Sequence, residues 1–292
     1  MDEILVSIIM PTYERNEKVI KRAIDSVINQ TYKNWELIVV DDNKKDEVSK
    51  NVQTILNEIN DTRIIYIKNE ENMGSAKSRN HGIEKSKGKY ITFLDDDDEY
   101  LPLKIESQVN KMIEKDADYS ITNLNLFNDE NILVRSRKHD YIEKENNLLV
   151  THLKHHLTGT DTFMFKKDYL IKTGMFGKLD SGDEFYLMMN AINNNGEFLW
   201  INECHVKAYV HSDGSGLSTN QKREDGENML FEFKKQYFNK LSKKDIKFIK
   251  VRHILVLAKI SLDCKKYIKT LVYMIKAALI DFNAVFYLKK NY

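Results

Sequence analysis

The sequence predicts an α/β fold: a mixed, mostly parallel sheet flanked by helices, followed by a helical extension at the C-terminal end. Three observations predict it. Short apolar runs alternate with amphipathic segments through the first hundred or so residues. The runs end at clusters of polar residues. From about Glu224 onward only the helical period remains.

Val6 to Met10 is an apolar run ending at Pro11, as expected of a buried strand. Glu17 to Gln30 then places Val19, Ile20, Ala23, Ile24 and Val27 on one helical face. Leu37 to Val40 reads as a second buried strand and stops at Asp41-Asp42. Val48 to Ile59 reads as a helix and Arg63 to Ile67 as a third strand. Ser75 to Ser86 is a helix entered through Asn72-Met73-Gly74. Tyr90 to Leu94 is a fourth strand that runs into Asp95-Asp96-Asp97-Asp98. Thr12 to Arg15, Asp41 to Asn43 and Asp95 to Asp98 therefore follow strand ends. In open α/β sheets that carboxyl edge is where ligands bind.

Beyond Pro102 the rhythm changes. Tyr119 to Phe127 and Thr162 to Phe165 read as strands, and Leu187 to Asn193 as a helix. Two further strands are expected near Phe198 to Ile201 and Val206 to Val210, followed by a Gly/Ser-rich loop from His211 to Thr219. The expected division is a sheet domain at 1–220, with halves 1–102 and 103–220, and a helical extension at 221–292.

Composition narrows the class. Apolar residues make up 42% of the 292 and charged residues 30%, a globular balance rather than a disordered or spanning one. Two prolines and eleven glycines argue against long flexible linkers. Cys204 and Cys264 form neither a disulfide framework nor a metal-site spacing, so a reducing, cytoplasmic setting is expected. Asp2 and Glu3 precede a short strand-like run, unlike a signal peptide. No stretch approaches the length of a transmembrane helix. A net charge of +1 predicts no nucleic-acid partner. That charge is uneven: from Lys243 to Tyr292 twelve Lys and Arg face three Asp, leaving the preceding residues near −8.

Four consecutive carboxylates at a strand end repel one another unless a cation is present. A hard divalent ion, Mn²⁺ or Mg²⁺, takes oxygen ligands and keeps positions for diphosphate oxygens. The alternative is a solvated loop before the helix that begins near Pro102.

Four segments follow one another: Val6-Ser-Ile-Ile-Met-Pro-Thr-Tyr-Glu-Arg15, Glu36-Leu-Ile-Val-Val-Asp-Asp-Asn43, Asn72-Met-Gly-Ser-Ala-Lys-Ser-Arg-Asn80 and Tyr90-Ile-Thr-Phe-Leu-Asp-Asp-Asp-Asp98. Their order resembles that of family 2 glycosyltransferases, over about residues 4 to 215. The resemblance implies a GT-A (Rossmann-like) fold with a nucleotide-binding half and an acceptor-binding half. It further implies a metal-dependent, inverting hexosyl- or N-acetylhexosaminyltransferase, using Mn²⁺ or Mg²⁺. The donor would be a nucleotide-diphosphate sugar, UDP-sugar first, and the acceptor a glycan or polyprenyl-linked glycan in surface polysaccharide or glycoconjugate biosynthesis.

The resemblance also implies roles. Pro11, Thr12, Tyr13, Glu14 and Arg15 match the segment that holds the nucleoside, with Tyr13 placed to stack on the base. Asp41 matches the carboxylate that reads the base edge. Arg15 and Arg79 suit the diphosphate, because a guanidinium binds phosphate bidentately. Asp95, Asp96 and Asp97 match the DXD-type element, with Asp97 as metal ligand and Asp96 at the ribose or a bridging position; the family usually has a small residue where Asp96 stands. His211 matches a residue that reaches the metal or diphosphate when a loop closes, and Gly214 and Gly216 suit such a lid. Asp180-Ser-Gly-Asp-Glu-Phe185 matches the region of the catalytic base. Asp183 is the expected base and Glu184 the second choice, since direct inversion requires one carboxylate. The alternative is that Asp180 and Asp183 cap the helix holding Leu187 and Met188. The His155-His156 pair is given no role.

In the C-terminal region, Ile254-Leu-Val-Leu257 and Leu271-Val-Tyr-Met-Ile275 alternate with lysines. Three readings stay open: a surface held against anionic lipid at the inner face of the cell membrane, a packed appendage, or a homodimer contact. A rival activity, sugar nucleotidyl transfer, needs a glycine-rich phosphate loop after the first strand, and Pro11 to Arg15 is not one. A non-catalytic nucleotide- or glycan-binding module fits poorly with Asp41, Asp97 and Asp183 standing together.

Overall fold

In the computed structural model of the protein the apolar runs of the N-terminal half become one end of a single sheet. The structure describes residues 4–145, 147–177, 182–210, 220–283 and 285–286. β1 (Val6–Thr12), β2 (Trp35–Asp41), β3 (Ile64–Lys68) and β4 (Tyr90–Phe93) pair in the order β3-β2-β1-β4, all parallel. Thr12 stands beside Asp41, and Asp41 beside Lys68, in the parallel register. Leu94 donates its N–H to the carbonyl of Ile9, so the aspartate run starts at this same edge. Register therefore gathers the three polar clusters.

The helices between these strands form where the pattern places them. In α1 (Glu17–Ile28) the Asn16 side chain accepts from the Lys18 N–H at 2.9 Å, and Ile20, Ala23, Ile24 and Val27 are buried. These side chains join Ile8, Met10, Trp35 and Leu37 in the main core. α2 (Asp46–Ile59) ends on Asn60 in the left-handed conformation, a common stop signal. α3 (Ser75–Lys85) starts after Gly74, whose φ is 80°.

Beyond β4 come β5 (Glu99–Tyr100), α4 (Lys104–Glu114), β6 (Tyr119–Asn128), β7 (Leu133–Arg137), α5 (Leu148–His155), β8 (Met164–Lys166), α6 (Lys167–Lys172), α7 (Asp183–Asn193) and β9 (Phe198–Val210). The sheet continues β4-β8-β6-β9-β5, with β7 also on β6. β8 is antiparallel to β4 and β6, whereas β9 is parallel to β6, so the sheet is mixed. The two strands expected near Phe198 and Val206 are one strand. Its polar middle stays in the ladder through shifts of register on β6, where the Asn123 amide donates to Asn202 Oδ1 at 2.8 Å. β7, α5 and α6 were not expected. β7 is mostly exposed and lacks an inward-facing apolar set, and α6 has only six residues.

Gly88 lets the chain enter β4. A Cβ there would stand 2.5 Å from Ser7 Oγ and 2.6 Å from the Ser7 backbone nitrogen, while the Gly88 N–H donates to Ser7 Oγ at 2.8 Å. Backbone cannot yield as a side-chain tip can. Gly88→Ala should lower unfolding free energy by about 1–3 kcal/mol, read from urea denaturation.

The chain divides into two compact units, 1–142 with 157–214, and 143–156 with 215–292. The second contains α5, α8 (Asn220–Lys235), α9 (Lys243–Asp263) and α10 (Tyr267–Ile280). Val251, Ala277 and Val285 form its small core, with Ile254, Leu255 and Ile280 against them. Lys154 pairs with Glu145 at 2.5 Å and Asp245 at 3.1 Å, tying α5 to the start of α9. Among the described residues no helix is long and apolar enough to cross a membrane.

Candidate active site

The loop before α3 is fastened to the end of β2. Asp42 accepts hydrogen bonds from the side-chain amides of Asn69 (2.8 Å) and Asn72 (2.9 Å) and from the N–H groups of Met73 (2.8 Å) and Gly74 (2.9 Å). Those partners all come from this loop, whereas the adjacent Asp41 is held by Asn43 just after β2, by side chains of β3 and α2, and by Lys68 at 3.5 Å. Asp41 accepts from the Asn43 N–H and amide, at 2.8 and 2.7 Å, and from the Tyr66 hydroxyl at 2.6 Å. Burial pushes its pKa up, but hydrogen bonds from Tyr66, Ser49 and Asn43 prevail and hold it below the ordinary value. It is an ionised acceptor at the sheet edge.

Segment 11–15 lies alongside. Thr12 is buried, Pro11 and Tyr13 are half-buried and Glu14 is exposed. Glu14 takes a left-handed φ of 48° and donates its N–H to Asn43 Oδ1 at 2.5 Å. That bend carries Arg15 back to the aspartate run, where Nε lies 2.9 Å from Asp96 and Nη2 lies 2.9 Å from Asp97. Burial pushes Asp96 up to about 6, with Arg15 opposing the shift.

Arg79 projects from α3 and is wholly enclosed. Its Nη2 donates to Asp95 Oδ1 at 2.6 Å and its Nη1 to Asp183 Oδ2 at 3.3 Å. Burial opposes its charge, yet Asp95 and Asp183 together hold its pKa above the usual value. One guanidinium thus joins the strand-end carboxylates to the first residue of α7.

Asp183 is that first residue, and Gly182 occupies the N-cap position with a φ of 78°. Asp183 is therefore not the capping residue. The helix N-terminus favours its anion, while burial raises its pKa against the pull of Arg79. Glu184 faces another task, accepting from the Gly159 N–H at 2.9 Å and the Thr160 hydroxyl at 2.5 Å. Those bonds hold the turn that carries Asp161.

Asp161, on the short helical turn Thr160–Thr162, was not expected at the site. Its Oδ1 accepts the Asp95 N–H at 2.7 Å. Oxygens of Asp95, Asp98 and Asp161 lie within 4.8 Å of one another. Burial first, and then neighbouring carboxylates, push Asp161 up to about 7 and Asp98 well above the ordinary range. Beneath them Lys104, held by Thr92 Oγ1 and the Tyr100 hydroxyl, is pushed by burial down to about 7. A local motif search misses Asp161 and Lys104 because only the tertiary fold brings them here.

Tyr209 on β9 closes the far side. Its N–H donates to Asp98 Oδ1 at 2.8 Å, and its hydroxyl to Glu99 at 2.5 Å. The Arg22 guanidinium lies 3.9 Å from the centre of its ring. His211 and Asp180 lie outside the described residues.

Among the described residues the oxygens that converge closely enough for a divalent cation are those of Asp95, Asp98 and Asp161, whereas Asp97, expected as the metal ligand, pairs with Arg15 and is not in that group. Asp95 to Asp98 present carboxylate oxygens at one strand end, and Arg15 and Arg79 already offset part of their charge. Among them Asp96 and Asp98 are buried, while Asp97 is half-buried and reaches the surface.

Comparison with known proteins bears on this geometry. Residues 7–174 match the model of the family described as Glycosyl transferase family 2. MJ1057 of Methanocaldococcus jannaschii, an uncharacterised glycosyltransferase, is 35% identical over 231 residues, 77% of each chain. WfgD of Escherichia coli, a UDP-Glc:alpha-D-GlcNAc-diphosphoundecaprenol beta-1,3-glucosyltransferase, is 38% identical over 133 residues, 46% of this chain and 51% of that protein. A crystal structure of S. aureus TarS 1-349 with UDP-GlcNAc superposes with a TM-score of 0.60, over 88% of this chain and 83% of that one. At 17% identity the likeness is one of fold.

Proposed function

We propose, from the premise that the chain belongs to glycosyl transferase family 2, that it transfers a hexosyl or N-acetylhexosaminyl group from a UDP-sugar with inversion. The acceptor is a glycan carried on a polyprenyl diphosphate, on the cytoplasmic side of a surface-polysaccharide or glycoconjugate pathway. The observation that carries this reading is Arg79, which links Asp95 of the strand-end run to Asp183. The acceptor class is supported by WfgD, whose own acceptor is a GlcNAc-diphosphoundecaprenol; the donor class is supported by the TarS complex with UDP-GlcNAc.

Asp41, buried and ionised, accepts from the N–H of a uracil edge, with Tyr13 beside it to stack on the ring. Arg15 and Arg79 offset diphosphate charge. Asp183 takes the proton of the acceptor hydroxyl as that oxygen attacks the anomeric carbon from the face opposite the leaving group. Burial raises its pKa, which makes it a stronger base toward the hydroxyl proton. Mn²⁺ or Mg²⁺ held by Asp97, with His211, would supply Lewis-acid stabilisation of the departing diphosphate. Glu184 is fixed to Gly159 and Thr160, which favours Asp183 as the base.

The test is stereochemical. Incubation with UDP-glucose or UDP-GlcNAc and a GlcNAc-diphosphoprenyl acceptor should yield a β-linked product from the α-configured donor, read from the anomeric proton coupling. An α-linked product would overturn the inverting mechanism.

A further inference from the structure

We propose that the outward face of α10 is a docking surface for an anionic lipid bilayer and lies in its headgroup interface. Ile268, Leu271, Val272, Ile275 and Leu279 recur at helical spacing and are all exposed, Ile268 by 84% and Leu279 by 82%. At about 100° per residue they form one stripe opposite Ala277, the buried residue that packs with Val251 of α9. Phe282 and Phe286 extend the exposed apolar surface beyond the helix. A contiguous apolar face of this kind marks an interaction site.

Charge selects the occupant. α10 contains no Asp or Glu; Lys269, paired with Glu224 at 2.7 Å, and Lys276 border one edge of the stripe. Lys265 and Lys266 precede it, within a region where twelve Lys and Arg face three Asp. A second copy of this chain would bring the same cationic excess against itself, whereas an anionic bilayer offsets it. A one-sided apolar stripe edged by lysines suits a helix lying in the interface, and no described helix can span a membrane. The similar run Ile254–Leu257 on α9 does not share this role, because Ile254, Leu255 and Leu257 turn inward or are half-buried. The proposal deepens the lipid-linked acceptor reading, but its test uses neither donor nor acceptor, so the two can fail separately.

Flotation of the full chain with vesicles of phosphatidylcholine plus phosphatidylglycerol, and of phosphatidylcholine alone, reads it out. The chain should float with the anionic vesicles only and be released by salt. Ile268→Glu with Leu279→Glu, both fully outside the core, should lower the bound fraction on the order of tenfold. Lys265→Gln with Lys276→Gln should weaken binding to anionic vesicles while the circular dichroism spectrum stays unchanged. Undiminished flotation of the Glu variant would overturn the proposal, as would a wild type that stays with the soluble fraction. A wild-type dimer that the Glu variant converts to monomer, without vesicle binding, would assign the face to self-association instead.

Discussion

Asp183→Asn should abolish most transfer, lowering kcat by about 10²–10⁴-fold, the usual share of a general base. Nucleotide affinity should stay close to wild type. The amide keeps the size of the side chain and its oxygen can still accept from the Glu184 N–H and face Arg79. It cannot take a proton at neutral pH. The N-cap position belongs to Gly182, so loss of capping does not enter the comparison. Near-normal turnover would move the base elsewhere, with Glu184 next despite its bonds to Gly159 and Thr160. Single-turnover kinetics beside UDP titration separates the chemical step from donor binding.

Arg79→Met should cost both stability and activity. The guanidinium is enclosed, and its removal leaves the half-buried Asp183 without the cation that restrains its pKa. Breaking a buried pair by removing one partner costs about 3–5 kcal/mol, and the lower figure applies here because Asp95 keeps 35% of its side chain in solvent. The pH profile gives a sharper reading than stability. Burial already raises Asp183, and Arg79 lowers it. Without Arg79 its pKa rises further, so the base is protonated at a higher pH. The acid limb of the kcat/KM profile should therefore move upward in pH. Arg79→Lys should restore part of that shift, because an ammonium retains the charge but not the two-armed contact. An unmoved acid limb in Arg79→Met would show that the two residues are not coupled in catalysis.

The sheet edge was legible because its signals are local. Apolar runs end at Pro11, Asp41 and Asp95, and parallel register then brings those ends together without further information. The order of the four motifs also pointed to the family. Other features depend on contacts that adjacent residues do not reveal. Asp161 sits in a turn of three residues with no periodicity, and only the antiparallel insertion of β8 beside β4 delivers it to Asp95. Asp42 and Asp41 are adjacent and alike in sequence. Their different jobs emerge when Asn69, Asn72 and the α3 entrance close around one of them. The two lysine-punctuated runs at 254–257 and 271–275 likewise look alike, and packing within the helical unit separates them.

The central claim is that the carboxylate run beside Asp41 forms a metal-assisted nucleotide site. Isothermal titration of UDP into the full chain tests it most directly, with Mn²⁺, with EDTA, and with Asp97→Ala in the presence of Mn²⁺. The account predicts saturable binding with Mn²⁺ that is lost in EDTA and in the variant. Binding of equal strength in all three conditions would contradict it.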